Sequence, residues 1–215
     1  MLRKDVPMGR RRHWQQVYAD KSPLEVSWYR PHLETSLELI TATGVATDDR
    51  IIDVGGGAST LVDDLLEAGY NAITVLDISD AALDASRRRL GSHAADVTWL
   101  EGDVTKVDLG AGDFELWHDR AALHFLVDED DRRSYAATLK QSLVPGGHAV
   151  LATFAPDGPP RCSGLRVRRH DASMLAALLG DEFVERATRQ DTHRTPSGNE
   201  QLFTYCWFQK LPSAA

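Results

Sequence analysis

Three consecutive glycines, Gly55, Gly56 and Gly57, separate a short apolar run from a helical pattern. This junction constrains the fold more than any other stretch of the chain. The apolar run is residues 51–54, and the leucine and valine side chains between 61 and 66 share one face of the following helix. Because glycine lets the backbone approach a ligand and a helix start offers free amide groups, the stretch predicts a strand, a turn and a helix that bind a nucleoside-like ligand.

Two acids give the junction a more specific meaning. Asp53 stands two residues before Gly55, at the end of the strand. Asp77 ends the next apolar run, 22 residues after Gly55. An acid at that distance suits hydrogen bonding to the hydroxyl groups of a ribose. We therefore interpret the stretch as a nucleoside-cofactor site.

Strands and helices alternate after the glycine turn. Strand-like runs are 72–76, 97–100, 114–117 and 148–154, and helical patterns are 79–90, 130–143 and 171–179. The alternation predicts a parallel sheet with helices on both faces and with its strand ends along one edge. The last two strand-like runs, 183–190 and 202–209, have only a short turn-rich connection, which predicts an antiparallel pair.

Composition excludes several classes of partner. A net charge of −8 argues against general binding to nucleic acid or to an anionic membrane surface. No apolar run approaches the roughly 20 residues that a membrane span requires. The two cysteines, Cys162 and Cys206, form no metal-binding pattern, and their scarcity fits a cytoplasmic protein.

The motifs together resemble those of the class I S-adenosyl-L-methionine-dependent methyltransferases. The segment Asp53-Val-Gly55-Gly-Gly57 is similar to the first motif of that family, whose glycine turn passes the methionine part of the cofactor. The resemblance assigns Asp77 to the ribose hydroxyls and Ile78 to the adenine face. It assigns Asp103 and Val104 to the adenine edge.

This resemblance implies an α/β fold with three layers. The expected sheet is Rossmann-like, mostly parallel and seven-stranded, and it ends in the antiparallel C-terminal hairpin that is typical of the family. We expect one methyltransferase domain over residues 1–215. Its expected parts are a mobile arm over 1–12, a helical cap over 13–45 and the Rossmann-like core over 46–215.

A nicotinamide or flavin dehydrogenase is the competing interpretation of the glycine turn. That fingerprint requires a third glycine where this chain has Thr60. It also gives Asp53 no role, and it has no closing hairpin. These motifs, in this order and at this spacing, therefore favour the methyl donor.

Residues after the fourth strand are the candidates for chemistry. The resemblance places substrate-facing groups at His118 and Asp119. If the acceptor loses a proton, His118 is the first candidate base and Asp119 the second. A packed histidine with one hydrogen bond is the more ordinary interpretation of His118, because this chemistry does not require a base. Arg120 and His124 follow as candidate substrate-facing residues. No cluster of carboxylates suggests a metal.

The aromatic pair Trp28 and Tyr29 precedes the first long helical pattern. These side chains either pack the N-terminal segment on the core or form a lid over the pocket.

The acceptor is the least constrained part of the prediction. The expected catalytic fold accounts for almost all of the chain, which favours direct SN2 transfer to a small molecule. The segment 117–123 is similar in outline to the Asp-Lys-Gly-Thr segment of some seven-strand protein lysine methyltransferases, so a protein acceptor is the alternative. A catalytically silent cofactor-binding protein is the alternative outside the enzymes. The sequence does not decide the oligomeric state.

Overall fold

The computed structural model describes residues 9–20, 22 and 24–212. Within these residues the α-helices are α1 (Arg10–Asp20), α2 (Glu34–Thr43), α3 (Leu61–Glu67), α4 (Asp80–Leu90), α5 (Glu129–Ser142) and α6 (Ala172–Leu179). The strands are β1 (Ile51–Val54), β2 (Ile73–Asp77), β3 (Val97–Glu101), β4 (Phe114–Arg120), β5 (Leu143–Phe154), β6 (Arg161–Cys162), β7 (Leu165–Arg166), β8 (Phe183–Arg194) and β9 (Glu200–Lys210).

Seven of the strands form one sheet in the order β3-β2-β1-β4-β5-β9-β8. The first five positions are parallel, whereas β9 pairs antiparallel with both β5 and β8. This arrangement confirms the predicted mostly parallel sheet with its antiparallel hairpin. The carboxyl ends of β1, β2, β3 and β4 therefore meet along one edge, which is where such folds bind ligands.

The core has one apolar cluster on each face of the sheet. Neighbouring residues of β1 point to opposite faces, so Ile51 belongs to one cluster and Ile52 to the other. Helices α2, α3 and α4 supply the first cluster, and α5 and α6 supply the second. The structure is thus the predicted three-layer α/β arrangement.

Two elements differ from the sequence prediction, namely the end of β4 and the segment after Ala155. Strand β4 continues to Arg120 instead of ending at Trp117, because residues 118–120 still pair with β5. The segment after Ala155, which reads as a loop, contains the small antiparallel hairpin of β6 and β7. Its turn residues Ser163 and Gly164 both have positive φ, as a two-residue hairpin turn requires.

The N-terminal segment also differs from the prediction. Helix α1 begins at Arg10, so residues 10–12 are helical and do not belong to an arm. Arg10 pairs with Asp103 and Asp131, and Arg11 pairs with Glu101, which explains why the helix starts before His13. The remainder of the expected arm, residues 1–8, lies outside the described residues.

No helix in the described ranges is long and apolar enough to cross a membrane.

Candidate active site

The glycine turn lines a cavity at the carboxyl edge of the sheet. Gly55 and Gly57 have φ values of +71° and +25°, which side chains rarely adopt. A Cβ at Gly57 would lie 2.5 Å from Oδ2 of Asp77, and a Cβ at Gly56 would lie 2.3 Å from Oδ2 of Asp53. The glycines therefore keep open the space in front of both acids. The cavity encloses about 850 Å³ when the space at its open mouth is counted.

Asp77 is buried at the end of β2, and its Oδ1 accepts a hydrogen bond from the Ser79 amide at 2.8 Å. Burial raises the pKa of Asp77 to about 7, and the charge of Asp53 adds to the increase, while the Ser79 amide opposes it. A buried carboxylate with so few partners gains from ligand hydroxyl groups that donate to it. The predicted ribose role therefore fits this residue.

Asp53 is buried between the glycine turn and His118. Its Oδ1 lies 2.7 Å from Nδ1 of His118, and its Oδ2 has no hydrogen-bond partner among the described residues. Oδ2 is thus free to accept a hydrogen bond from a cationic amino group. A smaller second cavity reaches Asp53, Gly55 and Gly56, and Tyr29 lines it.

Both ring nitrogens of His118 already have hydrogen-bond partners, so neither is available to a methyl acceptor. Nδ1 bonds Asp53, and Nε2 lies 3.0 Å from the Ser36 hydroxyl, with the ring 1% exposed. We therefore revise the predicted role of a base. His118 connects Asp53 to α2 and holds the carboxylate in position, which is the packed-histidine alternative.

Asp119 points away from the cavity into the second apolar cluster. Its carboxylate accepts hydrogen bonds from the amides of Ala122 and Leu123 and from the Tyr135 hydroxyl at 2.8–3.0 Å. The role of second candidate base is revised as well, because these bonds fix the turn after β4. Burial raises the pKa of Asp119 to about 6 against the effect of these donors.

Ile78, Asp103 and Val104 line the main cavity beside Asp77, as the resemblance implies for an adenine site. Asp103 is also bound by the Arg10 guanidinium at 3.0 Å and by Thr105. Partial burial alone would raise its pKa, but the Thr105 hydrogen bonds and the charge of Arg10 hold the pKa of Asp103 below its ordinary value.

An aromatic cluster forms the wall of the main cavity opposite the sheet. Trp14 and Tyr18 of α1 lie one turn apart, and both contact Trp28 edge to face. Trp14 also packs on Phe125, with ring centroids 4.8 Å apart. Arg10, Trp14 and Tyr18 of α1 all line the cavity, and we call this helix its roof. Trp28 lines both cavities and packs on the core, so both expectations for it hold together.

The opposite end of the main cavity is polar and basic. Arg120 lies there with its plane over the Phe203 ring at 4.6 Å, and His124 packs against Phe154. Gln201 of β9 also lines this end. Within the described residues, Nη2 of Arg120, Nε2 of His124 and Oε1 of Gln201 are buried without a hydrogen-bond partner.

His124 is neutral under ordinary conditions. Burial lowers its pKa to about 3, and the neighbouring His170 and Arg120 lower it further. Its Nδ1 accepts the Phe154 amide, so Nε2 carries the ring proton and offers it to the cavity. His124 is therefore a hydrogen-bond donor there.

Several lining residues had no clear signal in the sequence. The Trp14 and Tyr18 pair has the i, i+4 spacing of one helix face, which is a usable signal. Gln201 and Phe203 enter the site only because β9 pairs with β5. In the described part of the chain, no three His, Cys, Asp or Glu side chains are grouped as a metal site requires.

A family model described as a methyltransferase domain matches residues 51–147, which include the glycine turn, Asp53, Asp77, Asp103 and β4. These residues form a methyltransferase domain, and the sheet that contains them has the class I fold. The dehydrogenase interpretation is thereby rejected, and the predicted cofactor, S-adenosyl-L-methionine, is confirmed at the level of the family.

Curated relatives of this methyltransferase are distant. The eEF1A lysine and N-terminal methyltransferase of Danio rerio is 24% identical over 148 residues, which cover 67% of this chain and 21% of that protein. EEF1A lysine methyltransferase 4 of Mus musculus is 26% identical over 158 residues, covering 66% of this chain and 60% of that protein. The chain thus spans about a fifth of the first relative.

Solved structures share the fold over nearly the whole chain. One, from a study of the conversion of a disulfide bond into a thioacetal group during echinomycin biosynthesis, has a TM-score of 0.76 at 16% identity and covers 94% of this chain and 92% of its own. The Burkholderia thailandensis 1,6-didemethyltoxoflavin-N1-methyltransferase, which holds its substrate and S-adenosylhomocysteine, has a TM-score of 0.67 at 22% identity. It covers 93% of this chain and 83% of its own.

Proposed function

We propose that this chain catalyses direct SN2 transfer of a methyl group from S-adenosyl-L-methionine to a small molecule. The observation that carries the proposal is one roofed cavity that is lined by Asp77 and Asp103 and also by Arg120, His124 and Gln201. Strand spacing puts β2 and β9, four positions apart in the sheet, about 19 Å from each other, which leaves room for two ligands in line.

When bound, the cofactor supplies a methyl group that is already electrophilic on a sulfonium. The chain then has to bind, orient and exclude water. Gly55–Gly57 and Asp77 would hold the methionine and ribose parts, and Oδ2 of Asp53 would accept from the amino group. The aromatic roof of Trp14, Trp28 and Phe125 would exclude water from the reacting atoms.

The residues near the end of the cavity that holds Arg120 and His124 are suited to positioning the acceptor and not to removing its proton. His118 and Asp119 are occupied by structural hydrogen bonds, and His124 offers a proton rather than a lone pair. We infer that the acceptor reacts in a form that is already nucleophilic. General-base catalysis is not obligatory for such a transfer.

A protein lysine is the second candidate acceptor, and two observations favour it. The curated relatives named above are protein methyltransferases. Ala121, which aligns with the glycine of the Asp-Lys-Gly-Thr segment, has a φ of +75° that glycine adopts at lower cost. Against a lysine, its ammonium group would enter an end of the cavity that already holds the Arg120 cation.

One experiment separates these candidates. Calorimetry with S-adenosylhomocysteine is expected to detect binding to the wild type and a large loss in Asp77→Ala. Cell extract is then incubated with the protein and methyl-labelled cofactor, and small molecules are separated from protein. Label in the small-molecule fraction supports the proposal, and label confined to protein supports the lysine alternative. Cofactor binding with no demethylation in any extract would favour a silent binding protein.

A cytoplasmic location remains a prediction that rests on composition.

A further inference from the structure

We propose that the acceptor is a small aromatic or apolar molecule with a carboxylate, and that Arg120 and His124 bind this carboxylate at the end of the cavity away from the cofactor acids. The inference rests on the proposed function and adds a substrate class to it.

Arg120 is held in place but not neutralised. Its Nε donates to the Tyr205 hydroxyl at 3.0 Å, its Nη1 donates to the Trp28 carbonyl at 3.2 Å, and its plane lies over Phe203. Tyr205 and Trp28 give only neutral oxygen acceptors, and no carboxylate among the described residues lies within ion-pair distance. Nη2 is buried without a partner. A partly buried guanidinium that is fixed by two hydrogen bonds and keeps a buried, unpartnered Nη2 amino group is suited to an incoming anion.

His124 supplies a second donor to the same cavity. The side chain is 0% exposed, Nδ1 accepts the Phe154 amide, and Nε2–H is left without a partner in the described structure. A buried donor of this kind costs free energy until a ligand accepts its proton. Two donors, one of them charged, match the two oxygens of a carboxylate.

The charges are also separated along the sheet edge. Asp53 and Asp77 lie in β1 and β2, and Asp103 follows β3, whereas Arg120 ends β4 and His124 follows it on the side of β5 and β9. The cofactor carries a sulfonium and an amino group, so its cationic centres belong beside the acids. An anionic acceptor then belongs on the other side, where the aromatic rings of Phe125, Phe154 and Phe203 would cover its apolar body.

The competing assignment gives Arg120 to the carboxylate of the cofactor itself, because Arg120 also borders the second cavity beside Asp53. The two assignments differ in a measurable way. Loss of the Arg120 charge weakens acceptor binding alone in the first case, and it weakens S-adenosylhomocysteine binding in the second.

The test uses three pairs of probes: benzoate and benzamide, anthranilate and anthranilamide, and indole-3-acetate and indole-3-acetamide. Their affinities are measured by calorimetry on the full chain, with and without saturating S-adenosylhomocysteine. For at least one pair, the acid is expected to bind the wild type about tenfold tighter than the amide, or more. Arg120→Gln should abolish this preference, and Arg120→Lys should keep part of it.

The matched control is Arg189→Gln, which removes an exposed arginine that pairs with Glu38 far along the edge strand β8. This variant should keep the preference for acids. The affinity for S-adenosylhomocysteine should stay unchanged in every variant. His124→Phe keeps the ring contacts with Phe125 and Phe154 and should lower acid affinity several-fold through loss of Nε2–H.

Three results would overturn the inference. They are failure of every acid to bind the wild type, survival of the preference in Arg120→Gln, and a loss of S-adenosylhomocysteine affinity in Arg120→Gln that matches the loss for acids. Failure of the proposed function is separate from these, because it would appear as a wild type that binds no S-adenosylhomocysteine whether or not it prefers acids.

Discussion

The two halves of the cavity are built on different principles. On the side of β1 and β2, backbone geometry makes the site: glycines with positive φ stand against buried acids, and almost any added atom would collide. On the side of β4, β5 and β9, side chains make the site, and several of their buried polar atoms have no hydrogen-bond partner among the described residues. The first half can accept one shape of ligand. The second half can change its specificity by single substitutions without disturbing the first.

The largest effect is expected in the half made by backbone. Gly57→Ala would place a methyl group 2.5 Å from Oδ2 of Asp77, so we expect S-adenosylhomocysteine affinity to fall by about 100-fold or more in calorimetry. Gly91→Ala is the matched control, because Gly91 has a φ of +59° and no atom within 4 Å of its added Cβ. The control should cost about 1 kcal/mol of stability and leave the affinity unchanged. Equal losses of affinity in both variants would mean that backbone strain, and not the collision with Asp77, weakens binding.

A second prediction concerns the charge of Asp77. Its pKa of about 7 means that the carboxyl is largely protonated at pH 5 and ionised at pH 8. Ribose hydroxyls donate best to the ionised form, so S-adenosylhomocysteine affinity should rise between pH 6 and pH 8. Asp77→Asn should bind about 10–100-fold more weakly at pH 8 and should lose this pH dependence. A parallel pH profile in the two proteins would contradict the role of Asp77.

The same shift predicts the opposite trend for stability. Between the ordinary pKa of 3.8 and about 7, the folded state keeps a proton on Asp77 that the unfolded chain releases. The free energy of unfolding therefore falls as pH rises through this window. Asp77→Asn removes this effect, so its stability relative to the wild type should grow by about 2–3 kcal/mol from pH 5 to pH 8 in urea titrations.

A third prediction tests the roof that both halves share. Trp14→Ala removes the ring that contacts Trp28 and Phe125, and it should speed S-adenosylhomocysteine dissociation about 3–10-fold in stopped-flow displacement. Gln16→Ala is the control on the same helix, since Gln16 is exposed and bonds only to Asp20 within the described residues. Unchanged dissociation in Trp14→Ala would show that α1 does not gate the cofactor.

The smallest effect is expected at the turn after β4. Ala121 has a φ of +75°, so Ala121→Gly should stabilise the fold by about 1 kcal/mol in thermal or urea unfolding. The next residue provides the control. Ala122 has φ −90° and ψ −49°, where glycine adds flexibility and also removes a methyl group that packs against the second apolar cluster, so Ala122→Gly should destabilise by about 1 kcal/mol. The same sign in both variants would refute strain at Ala121.

The half made by backbone is also the half that the sequence predicts well. A glycine turn and acids at strand ends are local signals, and the parallel order brings Asp53 and Asp77 to one edge. The half made by side chains depends on long-range pairing. Gln201 and Phe203 arrive through β9, and no spacing near them in the chain announces this.

The misjudged residues have a physical explanation of the same kind. A strand end can turn its side chain to either side, so the position of Asp119 after β4 does not reveal that its partners are Tyr135 and two amides. The position of His118 likewise does not reveal Ser36, which comes from a helix 82 residues away. Helix α1 was expected to start later, because its anchors Asp103 and Asp131 are remote in sequence.

The anchoring of α1 has a consequence for turnover. Arg10 fastens the helix to Asp103, the acid assigned to the adenine edge, and to Asp131 through partly exposed ion pairs. Ion pairs of this kind contribute about 1 kcal/mol or less and weaken in salt. With Asp103 at the adenine edge, as the resemblance implies, one carboxylate would both fasten the roof and bind the cofactor. Exchange of spent cofactor for fresh cofactor should therefore quicken as ionic strength rises.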